Sequence, residues 1–113
     1  MTRKANVLLV DDEPDKRQLL AYALQVDGYE VRTAVNGVEA LSAVETEPPD
    51  LIITDVMMPQ MDGYEMARRV RANPRTRFVP IILQSAAKKA AQDVRRGVEA
   101  GALGYLVDPT DIG

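Results

Sequence analysis

Three short apolar runs limit what this chain can fold into: VLLV at 7–10, LIIT at 51–54 and PIILQ at 80–84. In each run the apolar residues are consecutive instead of alternating with polar ones. That pattern is typical of strands covered on both faces, as in a parallel sheet. Two weaker strands are predicted at Glu30–Ala34 and Tyr105–Val107. The sequence therefore predicts a five-stranded parallel sheet.

Segments with helical spacing lie between these strands. The first helix is predicted from Pro14 to about Val26, because proline suits a first helical turn. Further helices are predicted at 37–45, 63–72 and 86–100. Strands that alternate with helices favour right-handed crossovers, with helices on both faces of the sheet. The predicted fold class is α/β, a doubly wound parallel sheet.

The composition fits one globular domain and excludes several kinds of chemistry. The 113 residues are 46% hydrophobic and 27% charged, with no Cys and no His. Disulfides, Cys or His metal sites, Cys nucleophiles and His-dependent triads are excluded, so a metal would have to be a hard cation held by oxygen. No apolar run approaches the ~20 residues of a membrane span, and MTRKANVLLV does not resemble a signal peptide. A cytoplasmic protein without membrane attachment is predicted.

Charge is unevenly distributed although the net charge is only −3. Residues 1–65 hold 13 acidic and 5 basic side chains, whereas residues 66–113 hold 4 acidic and 9 basic ones. Five arginines account for most of this difference: Arg68, Arg69, Arg71, Arg75 and Arg77. Without interleaved aromatic residues, this segment is a weak signal for nucleic acid, and a solvated helix end and loop is favoured. No direct nucleic-acid partner is predicted.

Acidic residues follow the predicted strands. Asp11 and Asp12 follow the first strand and Asp55 follows the third, while Ser85 and Asp108 follow the fourth and fifth. Functional groups of an open parallel sheet gather at the carboxyl ends of its strands. Each acidic motif alone is more often a turn or a helix cap. If the first and third strands are neighbours, however, the carboxylates converge and need raised pKa values or a cation, for which Mg²⁺ is the natural candidate.

Four motifs together resemble the receiver domain of bacterial two-component response regulators, the CheY-like family. They are DDEPD after the first strand, TDVMMPQMDG, a Ser at the end of the fourth strand and GYLVDP at the fifth, and the resemblance covers essentially the whole chain. It implies a flavodoxin-like sheet with strand order 2-1-3-4-5. It also implies a signalling switch and not a turnover enzyme. Such a switch accepts a phosphoryl group from a sensor histidine kinase or phosphotransfer protein and slowly loses it.

The resemblance assigns roles to individual residues. Asp55 matches the phosphoacceptor. Asp12 would bind Mg²⁺ directly together with Asp55 and the backbone carbonyl of Met57, and Asp11 would hold a Mg²⁺-bound water. This arrangement suits an in-line transfer, in which a metal neutralises both the attacking carboxylate and the incoming phosphoryl group.

Ser85 and Tyr105 match the two moving parts of the family's switch. Ser85 corresponds to the hydroxyl that bonds a phosphoryl oxygen, and Tyr105 to the aromatic ring that turns inward as that hydroxyl moves. Without the resemblance, Ser85 is equally well explained as a helix cap and Tyr105 as an ordinary strand residue. Pro59 and Gly63 match the turn beside the phosphoacceptor, and the nearby methionines are predicted to pack around it.

Asp108 breaks the family pattern. A Lys almost always precedes the Pro after the fifth strand, where it pairs with the phosphoacceptor, but this chain has VDPTD. Three explanations stay open. Lys88 or Lys89 reaches into the site while Asp108 faces solvent, or the domain binds Mg²⁺ well and is phosphorylated poorly, or it is an unphosphorylated protein-interaction module. We expect measurable Mg²⁺ binding with weakened phosphorylation.

The last helix of the family fold is missing from the sequence, which ends at Gly113 soon after the fifth predicted strand. The chain is predicted to be one receiver domain, 1–113, truncated at its C-terminus or the N-terminal piece of a longer protein. Exposed apolar surface on the fourth and fifth strands is expected, and a homodimer that covers it is one alternative. A third functional hypothesis, a Mg²⁺-dependent phosphohydrolase, is disfavoured because Met57 stands where that class usually has a second acid.

Overall fold

The computed structural model describes residues 4–85, 91–102 and 104–107, excluding the side chains of residues 85, 91–94 and 105–107. Strands and helices alternate along the chain. They are β1 Asn6–Val10, α1 Pro14–Val26, β2 Glu30–Ala34, α2 Gly37–Thr46, β3 Leu51–Asp55, α3 Gly63–Ala72, β4 Ile81–Ser85, α4 Ala91–Glu99 and β5 Gly104–Val107. No helix within these ranges is long and apolar enough to cross a membrane.

The strands form one sheet in the order β2-β1-β3-β4-β5, and every neighbouring pair is parallel. The prediction of a doubly wound parallel α/β fold is therefore confirmed. Val10 is paired with Thr54, and Asp55 is paired with Gln84. This register aligns the carboxyl ends of β1, β3 and β4 along one edge of the sheet.

One face of the sheet carries the hydrophobic core. The side chains from alternate positions of β1, β3 and β4 form one buried cluster with those of α2 and α3; the largest that are fully buried are Leu8, Ile52, Met66, Ile81 and Leu83. Burying each such side chain contributes about 1.5–3 kcal/mol relative to leaving it exposed. The runs are consecutive because the residues between these positions face the opposite side of the sheet, where Leu9 and Ile53 lie beside Leu20 and Leu24 of α1.

The opposite face holds an apolar groove of about 210 Å³. It is lined by Leu9, Leu20, Ala23, Leu24, Asp27, Ile53 and Gln84. No residue of α1 is fully buried against the described part of the chain. Exposed apolar surface was predicted for the fourth and fifth strands, but this groove runs from α1 across β1 and β3 to β4. The predicted absence of a last helix concerns residues 108–113, which lie outside the described ranges.

The arginine-rich segment is only partly a solvated helix end. Arg71 lies near the end of α3, and its guanidinium donates hydrogen bonds to the backbone carbonyls of Gly101 at 2.9 Å and Arg77 at 3.0 Å. It thereby joins α3 to the loop after it and to the turn after α4. Arg69, by contrast, forms an exposed ion pair with Glu65 on the same helix. Exposed pairs of this kind contribute little to stability.

Candidate functional site

Two of the predicted metal ligands meet because β1 and β3 are neighbours. The pairing of Val10 with Thr54 brings the next residues, Asp11 and Asp55, side by side at the carboxyl edge of the sheet. Asp11 is only 1% exposed. One of its carboxylate oxygens accepts a hydrogen bond from the backbone N–H of Glu13 at 2.9 Å, which fixes its orientation where the chain leaves β1.

Asp55 is a partly buried acid whose ionisation is disfavoured. Burial raises the pKa of Asp55, and the neighbouring Asp11 raises it further. Lys16 and the backbone N–H groups of Met57 and Val56, which donate hydrogen bonds to the carboxylate, act in the opposite direction without cancelling the effect of burial. The backbone N–H groups after β3 thus hold the carboxylate in place, while burial and the nearby Asp11 make its ionised form unfavourable.

Asp12 completes a cluster of three acids, which we call the acidic pocket: Asp11, Asp12 and Asp55. One carboxylate oxygen from each lies within 4.8 Å of the others, and the three side chains range from buried to exposed. Two oxygens on opposite sides of a Mg²⁺ ion are about 4.2 Å apart, because each bond is about 2.1 Å long. An all-oxygen cluster of this size that is open to water fits a Mg²⁺ ion, with a water between the ion and a more distant carboxylate.

The turn from 56 to 62 delivers α3 directly against the end of β3. The backbone N–H of Gly63 donates to the carbonyl of Val56 at 2.9 Å, and the Asp62 side chain caps α3 by accepting from Glu65 N–H at 2.9 Å. A Cβ on Gly63 would lie 2.5 Å from the Asp55 carbonyl oxygen. Glycine is therefore required at this position, which sequence reasoning had assigned to the turn on resemblance alone. Gln60 adopts a φ of 72°, an uncommon conformation for a residue other than glycine.

The methionines of this turn differ in their surroundings. Met58 and Met61 belong to the buried core cluster, as predicted. The Met57 side chain is 73% exposed, so the prediction that it packs around the turn is wrong. The backbone N–H of Met57 donates to Asp55, which orients that peptide group toward the pocket and leaves the side chain outside.

Sequence reasoning missed Lys16, which lies in the first turn of α1. Its Nζ is 3.5 Å from a carboxylate oxygen of Asp11 and 3.9 Å from one of Asp55, and its side chain is only 13% exposed. A lysine in the first helical turn opposes the helix dipole, which favours acids there. That unfavourable position, two residues after the helix-starting Pro14, was the signal in the sequence that this lysine has carboxylate partners.

The two predicted switch residues lie on the expected strands. Ser85 ends β4 and is paired with Val107, and Tyr105 of β5 is paired with Leu83. Ser85 is thus at the same edge of the sheet as the acidic pocket. Tyr105 lies two residues before Val107, the partner of Ser85, and is therefore further from that edge. The side chains of Ser85 and Tyr105, and all of Lys88, Lys89 and Asp108, lie outside the described part of the chain.

Comparison with known families decides what this site belongs to. The family model described as the response regulator receiver domain matches residues 7–113. The chain belongs to this family. Receiver domains are signalling switches and not turnover enzymes; they interact with histidine kinases or phosphotransfer proteins and bind Mg²⁺ in an acidic pocket. The resemblance inferred from the sequence is therefore confirmed.

Individual relatives extend this result. Response regulator PleD of Caulobacter vibrioides is 38% identical over 107 residues, which are 95% of this receiver domain and 23% of PleD. The alkaline phosphatase synthesis transcriptional regulatory protein PhoP of Bacillus subtilis is 43% identical over 103 residues, 91% of this chain and 42% of PhoP. The chain spans less than half the length of either relative.

A solved structure supports the fold of the receiver domain. The chemotaxis protein CheY4 of Vibrio cholerae superimposes with a TM-score of 0.89 at 39% sequence identity, covering 95% of this chain and 88% of that one. A likeness of this extent includes the sheet and the helices that position the acidic pocket. The flavodoxin-like receiver fold follows from it.

Proposed function

We propose that this receiver domain is a phosphoryl-accepting switch, in which Asp55 takes a phosphoryl group from a sensor histidine kinase or a phosphotransfer protein in a Mg²⁺-dependent step. The observation that carries the proposal is the convergence of Asp55 with Asp11 and Asp12, whose oxygens lie within 4.8 Å of one another. The phosphorylated form would alter a partner-binding face, because a phosphoryl group adds about −1.5 to −2 charge to the site.

The ligands that we propose for the ion are all oxygen atoms. Asp12, Asp55 and the backbone carbonyl of Met57 would hold Mg²⁺ directly, and Asp11 would hold one of its water ligands. When bound, the ion supplies the positive charge that lets a carboxylate approach a phosphoryl group. Three carboxylates and the ammonium of Lys16 leave a formal charge of −2 in the pocket, which one divalent cation balances.

Asp55 would act as the nucleophile in an in-line transfer. A bond would form between a carboxylate oxygen of Asp55 and the phosphorus, while the bond from the phosphorus to the donor's imidazole nitrogen breaks. The imidazole leaves with the electron pair of that bond and takes up a proton from water. Backbone N–H groups of Val56 and Met57 hold the attacking carboxylate, which is what positioning by the protein contributes to such a reaction.

Ser85 and Tyr105 complete the proposed switch. The hydroxyl of Ser85 would move to a phosphoryl oxygen, and Tyr105 would turn inward into the space that this movement leaves. The proposal draws support from the backbone, since Ser85 ends the strand paired with β3 and lies one residue beyond the partner of Asp55. The acyl phosphate formed on Asp55 would be lost slowly by hydrolysis.

Intact-mass measurement tests the proposal. The chain is incubated with Mg²⁺ and a small acyl or amido phosphate, and the mass of one added phosphoryl group is expected. Asp55→Asn and a sample treated with a chelator serve as controls and should remain unmodified. Addition that is equally fast in Asp55→Asn would contradict the role of Asp55.

Asp108 favours a second candidate function, a receiver-like interaction module that is not phosphorylated. The sequence places an acid where the family has a lysine, and this disfavours retention of a phosphoryl group. Absence of any added mass with undiminished Mg²⁺ binding would favour this candidate. Release of phosphate over many turnovers would instead favour the phosphohydrolase hypothesis.

Three further properties stay predictions. They are the cytoplasmic location, the assignment of 1–113 as one receiver domain of a truncated or longer protein, and a homodimer. Sizing the chain beside one extended by a further helix tests the last two together, because an added helix that covers exposed apolar surface would also remove its tendency to pair.

A further inference from the structure

We propose that Lys16 is the charge-compensating lysine of the acidic pocket, which pairs with Asp55 before transfer and faces the phosphoryl group after it. The proposal rests on the proposed function of Asp55. The resemblance assigns this role to a lysine after β5, but this chain has Asp108 at that position. The proposal gives the role to a lysine in the first turn of α1. Lys16 would act on the acceptor carboxylate before the transfer and on the phosphoryl group after it.

The position of the ammonium supports this role. Lys16 Nζ lies within 4.0 Å of both Asp11 and Asp55, at 3.5 Å and 3.9 Å. These two acids come from different strands, so a single cation bridges the ends of β1 and β3. A phosphoryl group bonded to the Asp55 carboxylate would lie within reach of a lysine, since the four-carbon stem is flexible and its ammonium presents three donors.

The burial of Lys16 distinguishes it from an ordinary surface ion pair. Its side chain is 13% exposed, and those of its partners Asp11 and Asp55 are 1% and 12% exposed. The ion pair on α3 between Arg69 and Glu65, by comparison, has side chains that are 56% and 43% exposed. Solvent screens the exposed pair much more strongly than the pair at the pocket.

The surroundings of Lys16 hold it at the mouth of the pocket. The next residue, Arg17, donates a hydrogen bond from its guanidinium to the backbone carbonyl of Asp11 at 2.9 Å. This bond ties the first turn of α1 back to the end of β1, and so keeps Lys16 close to the carboxylates. Lys16 also lowers the pKa of Asp55, as expected of a cation that stabilises the ionised acceptor.

A cation so close to the carboxylates must also oppose the binding of Mg²⁺ to them. Removing the charge should therefore tighten Mg²⁺ binding while it weakens the attraction for an incoming phosphoryl group. Two readouts that change in opposite senses separate this role from a merely structural one. A destabilised chain would lose both properties together.

The test compares Lys16→Met with Lys16→Arg, which keeps the charge, and with Lys4→Met. Lys4 is an exposed lysine that precedes β1 at the opposite edge of the sheet, so its removal gives the same change in net charge away from the pocket. Calorimetric titration with Mg²⁺ should show about tenfold tighter binding for Lys16→Met, and less than about twofold change for the other two variants.

The second readout is the rate of phosphorylation of Asp55 by a small phosphodonor at saturating Mg²⁺, where differences in Mg²⁺ affinity no longer matter. Lys16→Met should be about tenfold slower than the wild-type chain, and Lys16→Arg should recover most of the rate. Thermal unfolding verifies that each variant is folded, and Lys16→Gln replaces Lys16→Met if the latter is not.

Each result has a defined meaning. Unchanged Mg²⁺ affinity in folded Lys16→Met would overturn the proposal, whether or not the chain is phosphorylated. Tighter Mg²⁺ binding with an unchanged phosphorylation rate would overturn the role toward the phosphoryl group. If the wild-type chain itself takes no phosphoryl group, the proposed function of Asp55 fails, while the Mg²⁺ titrations still decide whether Lys16 compensates the pocket.

Discussion

The Cα of Gly63 has room for no side chain, because a Cβ there would lie 2.5 Å from the backbone carbonyl oxygen of Asp55. The same Cβ would lie 3.1 Å from Val56 Cα and 3.2 Å from Leu83 Cδ2. Two of these three neighbours are backbone atoms, which cannot move aside as a flexible side chain can. The first residue of α3 therefore fixes how closely that helix approaches the candidate phosphoacceptor.

Replacing Gly63 by Ala should lower the free energy of unfolding by about 1–3 kcal/mol, the usual cost of overpacking. Gly104→Ala is the matched control, since its added Cβ would meet only Ile82 Cγ1 at an ordinary 3.8 Å. Urea unfolding of both variants measures the difference. Equal stabilities for the two variants would show that the contact at Gly63 relaxes without cost.

Asp55→Asn should stabilise the chain at neutral pH in the absence of Mg²⁺. The pKa of Asp55 is raised above its ordinary value of 3.8, mainly by burial, so the folded state holds the proton more tightly than the unfolded state does. Stability relative to Asp55→Asn should therefore decline as pH rises from 3.8 through the folded-state pKa, and then stay level. After allowance for solvent screening the gain is about 1 kcal/mol or less.

Unfolding in urea between about pH 3 and about pH 8 measures this dependence. Glu65→Gln supplies a control of opposite sign, because hydrogen bonding from Arg69 lowers the pKa of Glu65. Its contribution to stability is present above its ordinary pKa and is lost as pH falls through the lowered one. A difference between wild type and Asp55→Asn that grows as pH falls would contradict the account of Asp55.

Asp12→Asn should weaken Mg²⁺ binding by at least about tenfold, because a carboxylate proposed to bind the ion directly is replaced by a neutral amide. Glu13→Gln removes the same charge from the adjacent exposed residue, which is outside the cluster of three acids, and should change the affinity by less than about threefold. Calorimetric titration compares them. Similar losses in both variants would mean that net charge, and not the acidic pocket, attracts the ion.

Asp108→Lys should accelerate phosphorylation of Asp55 by a small phosphodonor, since it restores the cation that the family places after β5. We further expect Lys16→Met to slow phosphorylation less in the Asp108→Lys chain than in wild type, because two cations that serve one carboxylate are not independent. Rates at saturating Mg²⁺ for the four chains measure this coupling. Equal rates of phosphorylation in the wild-type and Asp108→Lys chains would contradict the prediction that Asp108 weakens phosphorylation.

The sheet was predictable because three runs of consecutive apolar residues leave few alternatives to buried parallel strands. The structure places β1 at Asn6–Val10 and β3 at Leu51–Asp55, each within one residue of its predicted bounds. The convergence of Asp11 with Asp55 followed from the strand order, which the resemblance supplied and local sequence did not. β1 and β3 are far apart in the sequence, and no short-range pattern in either strand indicates that they pair.

What sequence reasoning missed depends on the direction of individual side chains. Lys16 and Arg17 are consecutive basic residues in α1, yet one reaches the carboxylates and the other a backbone carbonyl. Met57 was expected to pack, but its side chain points into solvent next to two buried methionines. Such differences depend on how α1 and the turn after β3 pack against the sheet, which composition and periodicity do not encode.

Phosphorylation of Asp55 is the central claim, and locating the modified residue tests it most directly. After incubation with Mg²⁺ and a small phosphodonor, treatment with borohydride reduces an aspartyl phosphate to the corresponding alcohol, and peptide mass analysis then identifies the altered position. The account predicts reduction at residue 55 only, and none in a chelator-treated sample. Reduction at Asp11 or Asp12, or at no residue of a folded, Mg²⁺-bound chain, would contradict it.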